Sequence, residues 1–478
     1  MRVLLDTNVI IQSEDNVELS QNTQDLHQLT KKHRIQLFVH RQNRSDLLKD
    51  KDDRRRKITL AKMGKYPVLE FAQAPSAEFN IELGRTSTLG SNDFIDDCLL
   101  FALKSHAIRY LISEDKGVHV KARRVGLEDR VFYITEFIDL VIKEQFEKAT
   151  PMLPAIEEVE ISVLNLNDAI FDSLKSDYPG FTGWFQKKAE EGRRSWIMRR
   201  GESLAAVCIF DPKNHDCNNG MKICTFKVSD LLQGMRAGEH LLKQAIMFAI
   251  KRGILMMRVE VFADKSYLIS WLEDFGFRQI NSSMKGGREE LVFQKNLEPI
   301  TAMDSDPLET AIAHYPFLPE PPHVHAFVVP IQPQFTHILF PELVVQGSLW
   351  LSSCGHAIRK AYVCNSNITS IRKGDLLLFY ESQQRRAIFA RGVIDDVLRS
   401  NDLDEMSTFI AKRSVYSTDD IQEKISKGET LALKFYQSCL PMNIVPYQTL
   451  EDMRILNAAP QSIVQLADSA YSSLHRIL

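Results

Sequence analysis

Six aspartates in the first quarter of the chain have types and spacing that suit joint chemistry. Asp6 ends the short apolar run Val3-Leu4-Leu5, and Asp46 lies on the segment after a second run, Gln36-Leu37-Phe38-Val39. Asp93, Asp96 and Asp97 open a helical stretch, and Asp115 follows a third run, Tyr110-Leu111-Ile112. Asp93 and Asp97 are four apart, so they share a helix face. Carboxylates that converge repel one another and hold protons more tightly unless a cation sits between them. Mg²⁺ or Mn²⁺ is the usual ion, because hard cations take oxygen ligands and keep several waters. An ion held that way activates water and stabilises a phosphodiester transition state. Each residue alone has an ordinary explanation: Asp93 and Asp96 suit a helix start, and Asp115 suits a turn. The joint pattern is what points to a site.

Two further patterns carry chemistry. Residues 222–229 read as a strand, 230–238 as a loop containing glycines, and Leu241, Leu242, Ala245, Ile246, Ala249 and Ile250 as one face of a helix. Strand, loop and helix N-terminus make an anion cradle, since unpaired backbone N–H groups point at the ligand. Further on, Arg359, Lys360, Arg372, Lys373, Arg385 and Arg386 are interleaved with Tyr362, Phe379, Tyr380 and Phe389. Cations contact phosphates and aromatics stack on unpaired bases, which is one way single-stranded RNA is read. The competing explanation places the aromatics in a core and the charges in turns. A third basic region lies between Lys31 and Lys65, with 13 Lys/Arg against 4 Asp/Glu, densest at Arg54-Arg55-Arg56-Lys57. It is either a solvated helix face or a phosphate-contacting stripe.

The elements that must position these groups follow from length and punctuation. At 478 residues the chain has room for roughly three domains. Hydrophobic residues at 44% and charged residues at 25% exclude a disordered or collagen-like chain. A net charge of −3 excludes a generic polyanion binder, so any RNA contact must be local. Seven scattered cysteines fit reduced thiols, no apolar run is long enough to span a bilayer, and the N-terminus is a poor signal peptide. The expected location is the cytoplasm. Six of the 18 prolines fall within 299–322, which predicts an extended linker. The expected blocks are 1–150, 151–298 and 323–478, joined by that linker, and the expected class is α/β. The first block alternates strands and helices, which predicts a parallel sheet with function at the carboxyl ends of its strands. The second is α+β. In the third, short strands with Gly turns predict a small β-barrel.

Leu4-Leu5-Asp6-Thr7-Asn8-Val9-Ile10, Ser45-Asp46-Leu47, Asn92-Asp93-Phe94-Ile95-Asp96-Asp97 and Leu111-Ile112-Ser113-Glu114-Asp115 together resemble the PIN-domain nuclease family across most of 1–145. The resemblance implies a metal-dependent RNA phosphodiesterase. Asp6, Asp97 and Asp115 would be ligands, Asp93 an alternative ligand, Asp46 a fourth carboxylate where the family usually has Glu, and Asn8 and Ser113 supporting groups. Block two resembles the GNAT acetyltransferase fold over about 157–297. Gln233, Gly234, Arg236 and Gly238 match the loop that binds the pyrophosphate of acetyl-CoA, with Arg236 standing where the middle glycine is usual. Leu272 replaces the family's general-acid Tyr, and strand 222–229 carries no carboxylate to act as base. Gly355 to Cys364 and Lys373 to Tyr380 resemble PUA-like barrels of the ASCH/EVE group, which implies RNA recognition. Arg54, Arg55, Arg56, Arg359, Lys360 and Arg385 are the expected RNA contacts.

Joined, these imply an RNA endonuclease with an acetyl-CoA-binding module and an RNA reader. A structured RNA such as tRNA is the expected substrate. The combination looks like a toxin or stress effector, for which an inhibitory partner protein is conceivable. The alternatives are an N-acetyltransferase acting on RNA, charged tRNA or protein with the outer blocks as binding modules, and an inactive RNA-binding protein.

Overall fold

The computed structural model describes all residues except 1, 15–18, 34, 50–51, 70–73, 106–107, 145–152, 213–218, 230–231, 233–234, 302–305, 342–355, 411–412, 414 and 417. The chain divides into two compact units, 1–148 and 149–478. Among the described residues, no helix is long and apolar enough to cross a membrane.

The first unit is built on a four-stranded sheet in the order Gln36–Val39, Arg2–Leu5, Tyr110–Ile112, Val131–Phe132. Every neighbouring pair is parallel, as the alternation of strands and helices predicts. Val3, Leu4 and Leu5 are all fully buried, so this strand is a continuous apolar run rather than an alternating one. The helix Asn92–Lys104 starts where Ser91 accepts the Phe94 N–H through its hydroxyl, at 3.1 Å. Its Leu99, Leu100 and Leu103 pack into the same core as Leu4 and Leu111.

The second unit holds two sheets. The first runs Arg278–Lys285, Arg288–Asn296, Met256–Phe262, Gly220–Val228, Ser203–Asp211, Arg194–Arg200, Glu157–Glu160. Its neighbours are antiparallel except Gly220–Val228 with Met256–Phe262. The helix Ala237–Lys251 packs on one face through Leu241, Leu242, Ala245, Ile246 and Ala249. Trp196 and Phe210 stack 3.8 Å apart beneath it, with both side chains buried.

The C-terminal sheet runs Arg359–Asn365, Thr430–Gln437, Ala387–Arg399, Leu376–Glu381, Ala326–Ile331, Val464–Gln465, with Val445–Pro446 pairing onto Ala387–Arg399. It is a mixed sheet, since Ala326–Ile331 and Leu376–Glu381 are parallel. Among the described residues its pairings form a path whose end strands do not pair with each other.

The expected linker at 299–322 is instead part of the packed unit. Asp306 caps the helix Pro307–His314 by accepting the Leu308 and Glu309 N–H groups. The helix is followed by Tyr315, which is 1% exposed and donates its hydroxyl to the Gln437 carbonyl at 2.9 Å. Lys295, fully buried, donates to the carbonyls of Ile312 and Ala313. One hydrophobic core runs through both sheets and this segment, from Leu153 through Ala311 and Tyr315 to Leu474. Proline here fixes bends in a buried path rather than extending a free one.

Candidate functional site

At the carboxyl end of the first unit's sheet, Asp6 is buried and heavily bonded. One oxygen accepts the Thr7 N–H at 2.6 Å, and the other accepts Asn8 Nδ2 at 2.8 Å and Ser113 Oγ at 2.6 Å. Asn8 Oδ1 accepts the Glu114 N–H, and Ser113 Oγ accepts the Asp115 N–H. The structure therefore brings Asp6, Asn8, Ser113 and Asp115 together at two strand ends. Asp115 also caps the helix Lys116–Arg124 through the Gly117 N–H. Burial pushes the Asp6 carboxyl up to about 6, against the bonds from Ser113 and Thr7 and with help from Asp115 and Asp46.

The other expected ligands are committed elsewhere. Lys121, 7% exposed, places its ammonium 2.8 Å from Asp93, 2.5 Å from Asp96 and 3.7 Å from Asp97. Arg85 adds contacts to Asp93 at 2.8 Å and Asp97 at 3.6 Å. These two cations hold the Asp93 carboxyl down to about 2. Asp97 accepts the Ser87 hydroxyl, and Asp46 pairs with Lys49 at 3.3 Å. Burial pushes the Asp96 carboxyl up to about 7, against Lys121 and with help from Asp6 and Asp115. Lys121 supplies positive charge to the three helix aspartates, Asp93, Asp96 and Asp97. Among the described residues, no group of three His, Cys, Asp or Glu side chains is disposed to hold a metal ion. The Mg²⁺ or Mn²⁺ centre implied by the PIN resemblance is not shown among the described residues, and no hydrolytic step is derived through it.

The expected RNA contacts also separate. Arg54 and Arg55 are exposed on the helix Asp53–Met63, while Arg56 pairs with Asp53. Arg359 is not available to phosphate: Asp395 holds its guanidinium at 2.7 Å and 3.2 Å. Lys360 is fully buried and donates to the Leu339 carbonyl at 2.5 Å. Arg385 lies over the Phe389 ring, 5.0 Å from its centroid. Tyr362, Phe379, Tyr380 and Phe389 are all buried, so the aromatics belong to cores and not to a stacking surface.

The second unit's first sheet has the most developed site. Its two parallel strands pair only from Gly220↔Met256 to Ile223↔Val259. Beyond that point both strands continue, to Val228 and Phe262, without pairing to each other. The cause lies on the other side of the strand. Ile209 pairs with Thr225 and Phe210 with Ile223, so Cys224 is an extra residue with no partner opposite. A bulge bends its strand and re-aims side chains, and here it opens the sheet at a single point.

The helix Ala237–Lys251 begins beside this opening. Its N-cap residue, Arg236, makes no side-chain capping bond and sits at φ 63°, in the left-handed region. Glycine takes that conformation freely, so Arg236 bears strain where the family loop normally has its middle glycine. Gly238 is required for close approach: a Cβ there would lie 3.3 Å from the Trp271 ring. An uncapped first turn leaves N–H groups for an anion. Arg236 and Gly238 stand at the first turn of this helix, while Gln233 and Gly234 lie outside the described residues.

Glu260 was missed by the search for a base on strand 222–229. It is the first residue after the last parallel pair, on the neighbouring strand. Its carboxylate meets Lys222, which lies on the paired stretch of the neighbouring strand, at 2.5 Å and is about one-third exposed. The signal was alternation: Val259 and Val261 face the core while Arg258 and Glu260 face away. Tyr178 stacks on Phe262 at 4.6 Å nearby, and burial pushes its phenol up to about 12. Leu272 is buried in the core, so the usual general-acid position faces away from the opening.

A split parallel pair followed by a helix whose N-terminus lacks a side-chain cap is consistent with the GNAT fold. Residues 161–277 match the acetyltransferase (GNAT) family, so the chain carries a domain of that family. No curated protein matches the chain. Among solved structures, an IAA acetyltransferase from Bacillus cereus is 16% identical, covers 30% of this chain and 99% of its own, with TM-score 0.25. A ribosomal-protein-alanine N-acetyltransferase from Brucella melitensis is 17% identical over 30% and 99%, also with TM-score 0.25. An ASCH protein from Zymomonas mobilis is 12% identical over 32% and 94%, again with TM-score 0.25. Scores of this size establish no relationship by themselves.

Proposed function

We propose that the chain is an N-acetyltransferase in which acetyl-CoA binds along the split between Gly220–Val228 and Met256–Phe262. The observation that carries this reading is Glu260 standing at the point where the two strands part, beside the uncapped helix N-terminus. Bound acetyl-CoA supplies an activated acetyl group. The chain's own residues do the rest. N–H groups at Ala237 and Gly238 bind the diphosphate. Glu260 takes the proton from the acceptor amine, and Lys222 orients the Glu260 carboxylate. Past Ile223 the strand no longer pairs with Met256–Phe262, and its backbone on that side is proposed to face the carbonyl oxygen as its charge grows.

The acceptor is proposed to be an amine on an RNA, a charged tRNA or a protein, with the first unit and the C-terminal sheet as binding modules. Exposed Arg54 and Arg55 support the RNA choice. The test is release of free thiol from acetyl-CoA by the full chain with tRNA and protein pools added separately. Release that depends on one pool and is lost in Glu260→Gln supports the reading and names the acceptor class. Equal release by both forms contradicts it. Asp6→Asn is expected to leave release unchanged.

A further inference from the structure

The cradle helix has an unusual neighbour. Glu239, in its first turn and 4% exposed, points its carboxylate at the C-terminal sheet. One carboxylate oxygen accepts the backbone N–H groups of both Ile358, at 2.9 Å, and Arg359, at 3.2 Å. The next residue, His240, stacks its ring on His356 with centroids 4.0 Å apart and planes 7° from parallel. This edge is firmly seated in its own sheet. The Ile358 carbonyl accepts the Gln437 N–H, and Arg359 is fixed by Asp395 with Asp274 3.7 Å away. The edge strand of one sheet is thus bonded directly to the anion cradle of the other.

The charges matter here. The positive end of a helix favours an anion, and Glu239 already supplies one. A diphosphate bound at Ala237 and Gly238 would lie within one turn of that carboxylate, and like charges at such range oppose each other. The N–H groups of Ile358 and Arg359 hold one Glu239 oxygen, and the Arg236 guanidinium lies 3.8 Å from the other, so the carboxylate is drawn both to the edge and to the cradle's own cation.

We propose that Glu239 is a positioning residue that couples the cofactor cradle to the C-terminal sheet with negative sign, so that a diphosphate in the cradle and the seated edge at Ile358 and Arg359 weaken one another. The proposal rests on the acetyl-CoA reading above and adds its regulation. Whatever binds the C-terminal sheet and shifts that edge changes acetyl-CoA affinity. Coupling between sites is reciprocal, so acetyl-CoA in turn loosens the edge.

The test uses the full chain in three forms: wild type, Glu239→Gln and Glu239→Asp. Acetyl-CoA binding is measured by calorimetry, and backbone hydrogen exchange is followed at Ile358 and Arg359. Gln keeps an acceptor and removes the charge, so its Kd is expected to fall by roughly fivefold. Asp keeps the charge but cannot reach both N–H groups, so its Kd is expected to equal or exceed that of wild type. Acetyl-CoA is expected to speed exchange at both amides in wild type and much less in Glu239→Gln. A part that merely holds the fold together would shift both variants in the same direction. Equal Kd for wild type and Glu239→Gln, or slowed exchange on acetyl-CoA addition, overturns the coupling while leaving the acetyltransferase reading intact. Failure of all three forms to bind acetyl-CoA overturns both.

Discussion

Single side chains decide which of the possible sites is chemically usable. In the first unit, Asp6 and Asp115 were legible because strand ends in a parallel sheet point function to one place, Asn8 and Ser113 entered through the PIN resemblance, and hydrogen bonds join all four. The helix aspartates were harder. Asp96 and Asp97 differ by about 100° of helix rotation, and only the packed structure shows that Asp96 faces Asp6 while Lys121 serves all three. Lys121→Met removes that shared partner. Arg85 still opposes Asp93 and Asp97, so the loss falls on Asp96 and is expected to cost about 1–3 kcal/mol, as read from denaturant melts. Glu260 was legible in principle from the alternation of 256–262, but a base sought on the adjacent strand hid it. Glu260→Gln is expected to lower kcat by about 10²–10⁴-fold with acetyl-CoA affinity nearly unchanged, measured by steady-state turnover beside calorimetry.

Elements position those groups through features that single-residue patterns do not encode. Strand and helix identities in the first unit followed from apolar runs and helical spacing. The bulge at Cys224 did not, because an extra residue is visible only against the partner strand. The proline-rich stretch misled for a related reason: composition reports turn content, while burial depends on what the turns face. Gly276 records how closely the helix Pro307–His314 packs. It sits at φ 80°, and an added Cβ would land on the Ile312 carbonyl. Gly276→Ala is therefore expected to lower stability by roughly 2–4 kcal/mol through strain and displacement of that helix, as read from thermal melts.

Across the whole molecule, the shared core makes 149–478 one folding unit. A fragment covering 149–478 is expected to melt cooperatively, whereas one covering 151–298 loses its contacts with Ala311, Tyr315 and Tyr436 and is expected to aggregate. Lys295 gives this core a pH signature. Burial pushes its ammonium down to about 7, while in the unfolded chain it titrates near its ordinary value of about 10.4. Between those values the unfolded chain binds more protons, so stability rises with pH from about 7 to about 10. Denaturant melts of Lys295→Met across that range are expected to show a flatter slope.

The central claim concerns the split sheet, and labelled acetyl transfer tests it most directly. The full chain is incubated with acetyl-labelled acetyl-CoA and separate tRNA and protein pools, beside Glu260→Gln and Asp6→Asn. The account predicts label on one pool with wild type and Asp6→Asn, and none with Glu260→Gln. Label that persists in Glu260→Gln, or its absence in every form despite bound acetyl-CoA, would contradict it.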